Sequence, residues 1–172
     1  MRQYAYVVLL VVVAGVAGWF FYRTETPPAT SLLPTATFGG VSLRIELATT
    51  TADRDLGLGG RDSVPDNYGM LFVFPKDDLY GFWMKDMLVP IDIFWLAPDV
   101  KGQIGVVSME TGVATSSYPD VFYPSTPARY VLETYAGFAR DHSIATGTTF
   151  LLKNTPIVSE WRCPQCVSHE QE

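Results

Sequence analysis

The chain is poor in the residues that build metal and redox centres. It has only two cysteines and two histidines in 172 residues, and both cysteines lie within the last ten positions. The rest of the chain therefore cannot form a cysteine-based zinc site or a disulfide framework. It also lacks the Gly-Lys-Ser/Thr end of a phosphate-binding loop and the Gly-x-Ser-x-Gly elbow of ester hydrolases, so neither of these sites is expected.

Positive charge is also scarce. The chain has 12 basic and 18 acidic side chains. Without Arg2 and Arg23, ten basic side chains remain after position 23, and the net charge of that part is −8. A surface of this sign repels phosphate backbones and anionic lipid headgroups. We expect no nucleic-acid partner, and any membrane contact must come from another feature.

That feature is the apolar run from Tyr4 to Tyr22. As a helix it would extend about 28 Å, close to the hydrocarbon thickness of a bilayer. The run ends in aromatic residues, which favour the headgroup layer. We therefore predict a single-pass anchor over residues 1–23 that holds the chain in the cell membrane, with its domain outside the cytoplasm. The alternative is a signal peptide cleaved near Gly15-Val16-Ala17, which would also export the domain.

Three further segments follow the anchor. Residues 24–37 are rich in proline and threonine, a composition typical of an extended linker. Residues 38–157 contain the strand patterns and form the predicted domain. Residues 158–172 are a short tail that holds the Cys-x-x-Cys pair.

The domain has the pattern of a mainly β protein. Apolar and polar residues alternate from Val41 to Ala48, which predicts a half-buried strand. Thr50 or Thr51 can cap a short helix over residues 52–56 that Gly57 would end, and a second helix fits residues 136–142. Further strands are predicted at residues 69–74, 79–85, 91–96, 103–109, 128–134 and 148–153. We therefore predict a compact β-sandwich or barrel-like domain with two short helices.

Three blocks of residues carry a resemblance to a known family. They are Glu46-x-Ala48-x-Thr50 with Arg54-x-x-Gly57-Leu58-x-x-Arg61, then Gly69–Phe74 with Phe82–Leu96, then Tyr123–Glu133 with Ala136-Gly137 and Ile144-x-x-Gly147. Over residues 40–153 the chain resembles the family called domain of unknown function 192. The family usually has Met in place of Gly59 and Asn in place of Asp86. The resemblance implies a small β-rich domain, often exported, and supplies no reaction, catalytic residue or cofactor. We expect no cofactor.

Asp92 lies in the otherwise apolar segment from Ile91 to Leu96. A buried carboxylate costs several kcal/mol unless a cation or several donors meet it. Lys85, Arg54 or Arg129 could supply the cation. One interpretation is a polar cluster of Lys85, Asp92 and Glu133 in an aromatic cleft, with these three as candidate catalytic residues. The other is a structural network in which Asp92 bonds backbone amides.

A glycine-rich turn at residues 57–60 lies between Arg54 and Arg61. Two guanidinium groups beside such a turn could bind a carboxylate or phosphate. The alternative is a helix end with Arg54 paired to Glu46 or Asp55. In strand geometry Trp83 and Lys85 share one face, opposite Phe82 and Met84. The candidate ligand-binding residues are therefore Arg54, Arg61, Trp83, Lys85 and Asp92.

The tail offers a separate possibility. Cys163 and Cys166 could form a local disulfide in an exported compartment, and we favour this interpretation. Together with His169 they supply three of the four ligands that zinc requires. We predict no metal site within the domain.

Three hypotheses for function remain. The first is a membrane-tethered accessory module that binds a cell-envelope ligand or a protein partner. The second is a hydrolytic enzyme that uses Asp92 or Glu133 as acid or base, with Lys85 as electrostatic partner. The third is a redox or zinc accessory factor that acts through Cys163 and Cys166.

Overall fold

The computed structural model describes residues 33–153. They form a mainly β fold with two short helices, as predicted. The strands are β1 (Thr35–Phe38), β2 (Val41–Ala48), β3 (Tyr68–Asp78), β4 (Phe82–Trp83), β5 (Ile91–Pro98), β6 (Ile104–Val113), β7 (Val121–Phe122), β8 (Ala128–Tyr135) and β9 (Phe150–Lys153). The helices are α1 (Thr51–Leu56) and α2 (Phe138–Asp141), and a 3-10 turn covers Thr115–Ser117.

Seven strands form one curled sheet in the order β6-β5-β8-β3-β2-β1-β9. All neighbouring pairs are antiparallel except β2 and β3. The sheet curls far enough for its outer edges to meet. The Val106 amide donates to the Thr148 carbonyl at 3.0 Å, and the Gly147 amide donates to the Val106 carbonyl at 2.8 Å. The result is a half-barrel, with β4 and β7 as a separate two-stranded ribbon.

The inner face of the curl is packed with aromatic rings. Its core draws buried residues from all seven strands and from α2. Phe38 lies among the rings of Phe94, Phe138 and Phe150, at centroid distances of 5.1, 5.7 and 5.8 Å. These contacts join β1, β5, α2 and β9, so the inner core holds the two ends of the sheet together.

A second apolar core lies on the outer face of β3, β5 and β8. It includes Phe72 and Trp95, and it is covered by Phe82 and Met84 from the β4 segment and by Leu58 from the turn after α1. This cover is incomplete. An opening remains between the turn after α1 and the β4 segment, and the candidate site lies there.

The turn after α1 is formed as the sequence predicts. The Thr50 hydroxyl accepts from the Asp53 amide while the Asp53 carboxylate accepts from the Thr50 amide, a complete capping box. Gly57 ends the helix at a φ of 52°, in the left-handed region that glycine adopts without penalty. The chain therefore turns back sharply against the outer face of the sheet.

Two parts of the fold differ from the prediction. The strand β1 begins at Thr35, within the segment 24–37 that we predicted as linker, and it pairs with both β2 and β9. The strand predicted over residues 79–85 is reduced to Phe82–Trp83, which pairs with the unpredicted β7. The strand β1 forms a hairpin with β2 across Gly39-Gly40 and takes β9 as a second, distant partner, whereas β4 and β7 depend only on each other.

Some predictions concern other parts of the chain. The anchor over residues 1–23 and the tail over residues 158–172, with Cys163, Cys166 and His169, lie outside the described residues. Within residues 33–153, no helix has the length and apolar character needed to cross a bilayer.

Candidate functional site

A cavity of about 190 Å³ opens on the outer face of the sheet. Its walls come from α1 and the turn after it, from β3, from the β4 segment and from β8. The aromatic and charged residues of its walls include Arg54, Phe72, Phe74, Phe82, Trp83, Lys85 and Glu133. Its lining combines aromatic rings with charged side chains, and a concave lining that mixes apolar and polar groups is typical of a small-ligand site.

Glu133 lies at the buried end of this cavity. Its side chain shares the outer face with Val131, while Leu132 between them points into the inner core. Glu133 is 4% exposed, and its Oε2 atom has no hydrogen-bond partner among the described residues. Burial raises the pKa of its carboxyl group to about 8, although the positive charge of Arg61 acts in the opposite direction. Glu133 is therefore mainly a neutral acid at pH 7.

Lys85 and Trp83 lie at the open end of the cavity. As the sequence predicts, these two side chains lie on the face opposite Phe82 and Met84, since both are exposed while Phe82 and Met84 are buried. Trp83 keeps 51% of its surface exposed. Within residues 33–153, no carboxylate forms an ion pair with Lys85. The open end of the cavity thus presents an aromatic face and an unpaired ammonium group.

The aromatic wall of the cavity is held by ring contacts. Phe72 and Phe82 meet edge to face at a centroid distance of 4.9 Å, and Phe74 stacks on Tyr80 at 3.6 Å. Behind them the Trp95 indole N–H donates to the Tyr80 carbonyl at 2.8 Å. The wall is therefore formed before any ligand arrives.

Glycines bring the backbone close to this wall. A Cβ atom at Gly57 would lie 3.4 Å from the Phe72 ring, and one at Gly81 would lie 2.6 Å from Tyr123 and Val121. The Gly60 amide donates to the Asp86 carbonyl at 2.8 Å, which ties the turn to the β4 segment. Asp86 has a φ of 59°. Asn and Asp both adopt that region more readily than most residues, so the departure from the family's usual Asn leaves the backbone turn intact.

Arg54 is a wall residue whose donors are largely engaged. Its guanidinium group donates to the carbonyl oxygens of Thr49 at 2.6 Å and Val73 at 3.0 Å, and it lies 5.2 Å from the Phe74 ring centroid. These contacts fix α1 against the end of β2 and the middle of β3. Its charge remains close to the cavity.

Arg61 does not line the cavity. It pairs with both carboxylate oxygens of Glu46 at 2.8 and 3.2 Å and donates to the Tyr68 hydroxyl at 2.8 Å. Arg61 rather than Arg54 is therefore the partner of Glu46, and the two arginines do not form a joint anion grip. Glu46 pairs with Met70, which in turn pairs with Glu133. The Arg61 charge is thus two strands away from the buried acid.

Asp92 lies on the opposite face of the sheet. It is fully buried, and its oxygens accept from the backbone amides of Gly112 at 2.7 Å, Gly137 at 3.1 Å and Ala139 at 2.9 Å. This geometry corresponds to the structural network rather than to the polar cluster. The structure brings Lys85 and Glu133 to one cavity and separates Asp92 from both.

Sequence reasoning did not find the cavity itself. The run Gly69–Phe74 predicted a buried strand, but its apolar character does not reveal that Phe72 and Phe74 face an opening. The third proposed cation, Arg129, pairs with Asp77 on the surface at 3.0 Å. Among the described residues, no group of histidine, cysteine, aspartate and glutamate side chains could hold a metal ion.

Comparisons with known proteins agree on the fold. The family model DUF192, described as "Uncharacterized ACR", matches residues 34–152. No curated protein matches the chain. The similar solved structures include the following two. A Sinorhizobium meliloti protein, provisionally named as a transcription regulator, is 22% identical with a TM-score of 0.62, covering 69% of this chain and 92% of that one. A Novosphingobium aromaticivorans protein of unknown function is 27% identical with a TM-score of 0.61, and the match covers 72% of this chain and 88% of that one.

Proposed function

We propose a binding function for this chain, which belongs to the DUF192 family, a family of unknown function. In this proposal the outer-face cavity takes a small ligand with a ring-sized body, and the protein is an accessory module rather than a catalyst. The observation that carries it is Glu133, a buried carboxyl group with an unpartnered oxygen that lines the cavity.

The energetic reason is specific to this residue. A buried polar atom without a hydrogen bond costs about 1–3 kcal/mol. Asp92 on the neighbouring strand avoids this cost by accepting three backbone amides. Glu133 carries the cost, and a ligand that hydrogen-bonds its carboxyl group would recover it. Buried polar groups nearly always have a hydrogen-bond partner, so the exception at Glu133 calls for an explanation, and a bound ligand would supply one.

The dimensions of the cavity limit the ligand. An apolar cavity of roughly 150 Å³ holds one benzene ring, and this cavity measures about 190 Å³. It therefore fits one six-membered ring with small substituents. The half-exposed Trp83 at the open end offers a flat face for such a ring.

We further propose that the chain is tethered through residues 1–23 and presents its domain outside the cytoplasm. The support is the apolar run from Tyr4 to Tyr22 and its aromatic end. The ligand would then be a component of the cell envelope or of the surrounding medium.

The test measures binding to the purified full-length chain in detergent micelles by isothermal titration calorimetry. The probes are ring-sized molecules that carry an anionic, a neutral or a cationic group. We expect at least one probe to bind, and we expect Trp83→Ala to weaken that binding about tenfold or more through loss of aromatic contact. Leu151→Ala is the matched control, because Leu151 is 50% exposed and lies on β9, away from the cavity. Absence of binding, or equal effects of the two variants, contradicts the proposal.

A hydrolytic role is the second candidate, favoured by the pKa of Glu133, which at about 8 suits a general acid at neutral pH. Of the residues proposed for that chemistry, the cavity holds Glu133 and Lys85 but not Asp92. The same titration tests this role when it is run with a ring-sized ester. Continued heat release that Glu133→Gln abolishes would indicate turnover.

A further inference from the structure

We infer that the ligand of this cavity is a small organic anion that also carries a hydroxyl or carbonyl oxygen. Its anionic group would lie at Lys85 and its oxygen would accept a hydrogen bond from the Glu133 carboxyl group. The inference rests on the proposed binding function and adds the chemical class of the ligand.

The first support is the arrangement of polar groups by depth. Lys85 is exposed at the open end, and Glu133 is buried at the closed end. Between them the walls are aromatic, from Phe72, Phe82 and Trp83. A ligand that satisfies both ends must therefore carry two polar groups on opposite sides of an apolar body.

The second support is the charge around the cavity. The charged and titratable groups that line it are Arg54 and Asp55 of α1, Lys85 after β4 and Glu133 of β8, and the ion pair of Arg61 with Glu46 lies nearby. Arg61 and Glu46 neutralise each other. Of the groups that line the cavity, Arg54 and Lys85 are positive, Asp55 is negative, and Glu133 is mainly neutral. The balance is positive, which favours an anion over a cation.

The third support is the chemistry of Glu133. A neutral carboxyl group donates one hydrogen bond, whereas an ionised one only accepts. A hydroxyl or carbonyl oxygen of the ligand can take that proton without any change of charge. An ammonium group would either be buried without a counter-charge against the neutral acid or require Glu133 to ionise beside aromatic rings, and both are costly. The acid form therefore matches an oxygen acceptor.

The experiment compares four probes on the full-length chain by calorimetry. They are para-hydroxybenzoate, benzoate, para-hydroxybenzyl alcohol and para-hydroxybenzylamine, which share one ring. We expect para-hydroxybenzoate to bind best, by about tenfold or more over each of the others, because only it satisfies both ends. Its affinity should fall between about pH 6 and pH 9 as Glu133 loses its donor proton.

Two variants assign the two ends. Glu133→Gln keeps an N–H donor but cannot ionise, so it should remove the pH dependence of the affinity. A decline that arose from the phenol group of the probe would persist in this variant. Lys85→Met should lower the affinity for para-hydroxybenzoate to the affinity for para-hydroxybenzyl alcohol. The control is Lys153→Met on β9, outside the cavity, which should leave both affinities unchanged.

The outcomes separate the two proposals. If the alcohol or the amine binds as well as the acid, and Trp83→Ala still weakens it, the anionic class is wrong and the binding function stands. If benzoate matches para-hydroxybenzoate, the oxygen acceptor at Glu133 is wrong. If no probe binds, both the ligand class and the binding function fail.

Discussion

Two acidic residues on adjacent strands, Asp92 and Glu133, show how local geometry decides the role of a carboxyl group. Asp92 pairs with Thr134 in the register of β5 and β8, so it lies next to Glu133 along the sheet but on the other face. On the inner face it meets three backbone amides. On the outer face Glu133 meets aromatic rings and a cavity. Asp92 is satisfied by the fold, whereas Glu133 keeps an oxygen without a hydrogen-bond partner among the described residues.

The Glu133 side chain should make the stability of the protein fall as pH rises. Its pKa is about 8 in the folded state against an ordinary value of 4.5. As pH rises from about 5 to 8, the unfolded chain releases this proton first, which favours unfolding by about 1 kcal/mol per pH unit. Denaturant unfolding across this range should show that slope in the wild type and lose it in Glu133→Gln.

The control for this measurement is Glu110→Gln, since Glu110 is exposed on β6. It should keep the slope of the wild type. If Glu133→Gln and wild type show the same slope, the carboxyl group of Glu133 is not held in its acid form by burial.

The sequence indicated Asp92 and Glu133 as candidate residues, but it could not show which face of the sheet each side chain occupies. From Ile91 to Leu96 both faces of β5 are buried, so alternation of polar and apolar residues gives no direction. Strand alternation did assign Trp83 and Lys85 to one face, opposite Phe82 and Met84. The cavity could not be predicted at all, since it depends on how closely the turn after α1 approaches the β4 segment.

At the scale of elements, the Asp92 side chain connects β5 to two other parts of the fold through hydrogen bonds. It accepts from Gly112 in β6 and from Gly137 and Ala139 at the start of α2. Asp92→Asn replaces one accepting oxygen with an NH₂ group that faces a backbone donor. We expect it to lower the free energy of unfolding by about 2–4 kcal/mol in denaturant titrations.

Asp99→Asn is the matched control for this substitution. Asp99 accepts the Lys101 and Gln103 amides through one oxygen, Oδ1, which asparagine retains. Its loss of stability should stay below about 1 kcal/mol. A similar loss in both variants would mean that Asp92 contributes only as an ordinary turn residue.

Elements with strong local signals were predicted well. The strand β2 has the predicted bounds, Val41–Ala48, because its alternation is clear and its neighbour α1 has a capping residue at Thr50. The strands β1 and β7 have four and two residues. Such short segments carry too little periodicity to be recognised. The strand β7 exists because the distant β4 completes its hydrogen bonds, and β1 is completed by the neighbouring β2 on one side and the distant β9 on the other.

At the scale of the whole molecule, the inner core closes the half-barrel. Phe38 touches rings from β5, α2 and β9. Phe38→Ala should leave a cavity where four elements meet and lower the free energy of unfolding by about 3–5 kcal/mol. Leu151→Ala on the exposed side of β9 should change it by less than about 0.5 kcal/mol. A loss below about 1 kcal/mol for Phe38→Ala would show that the ring cluster does not hold the sheet closed.

The pairing of β1 with β9 has a consequence for engineering. Thr35 and Lys153 are Cα partners in this ladder, so the first and last strands of the domain run side by side. A short peptide could join them, and new ends could be opened at Val100, a fully exposed residue in the turn between β5 and β6. Such a circular permutant would keep every strand pair of the native sheet.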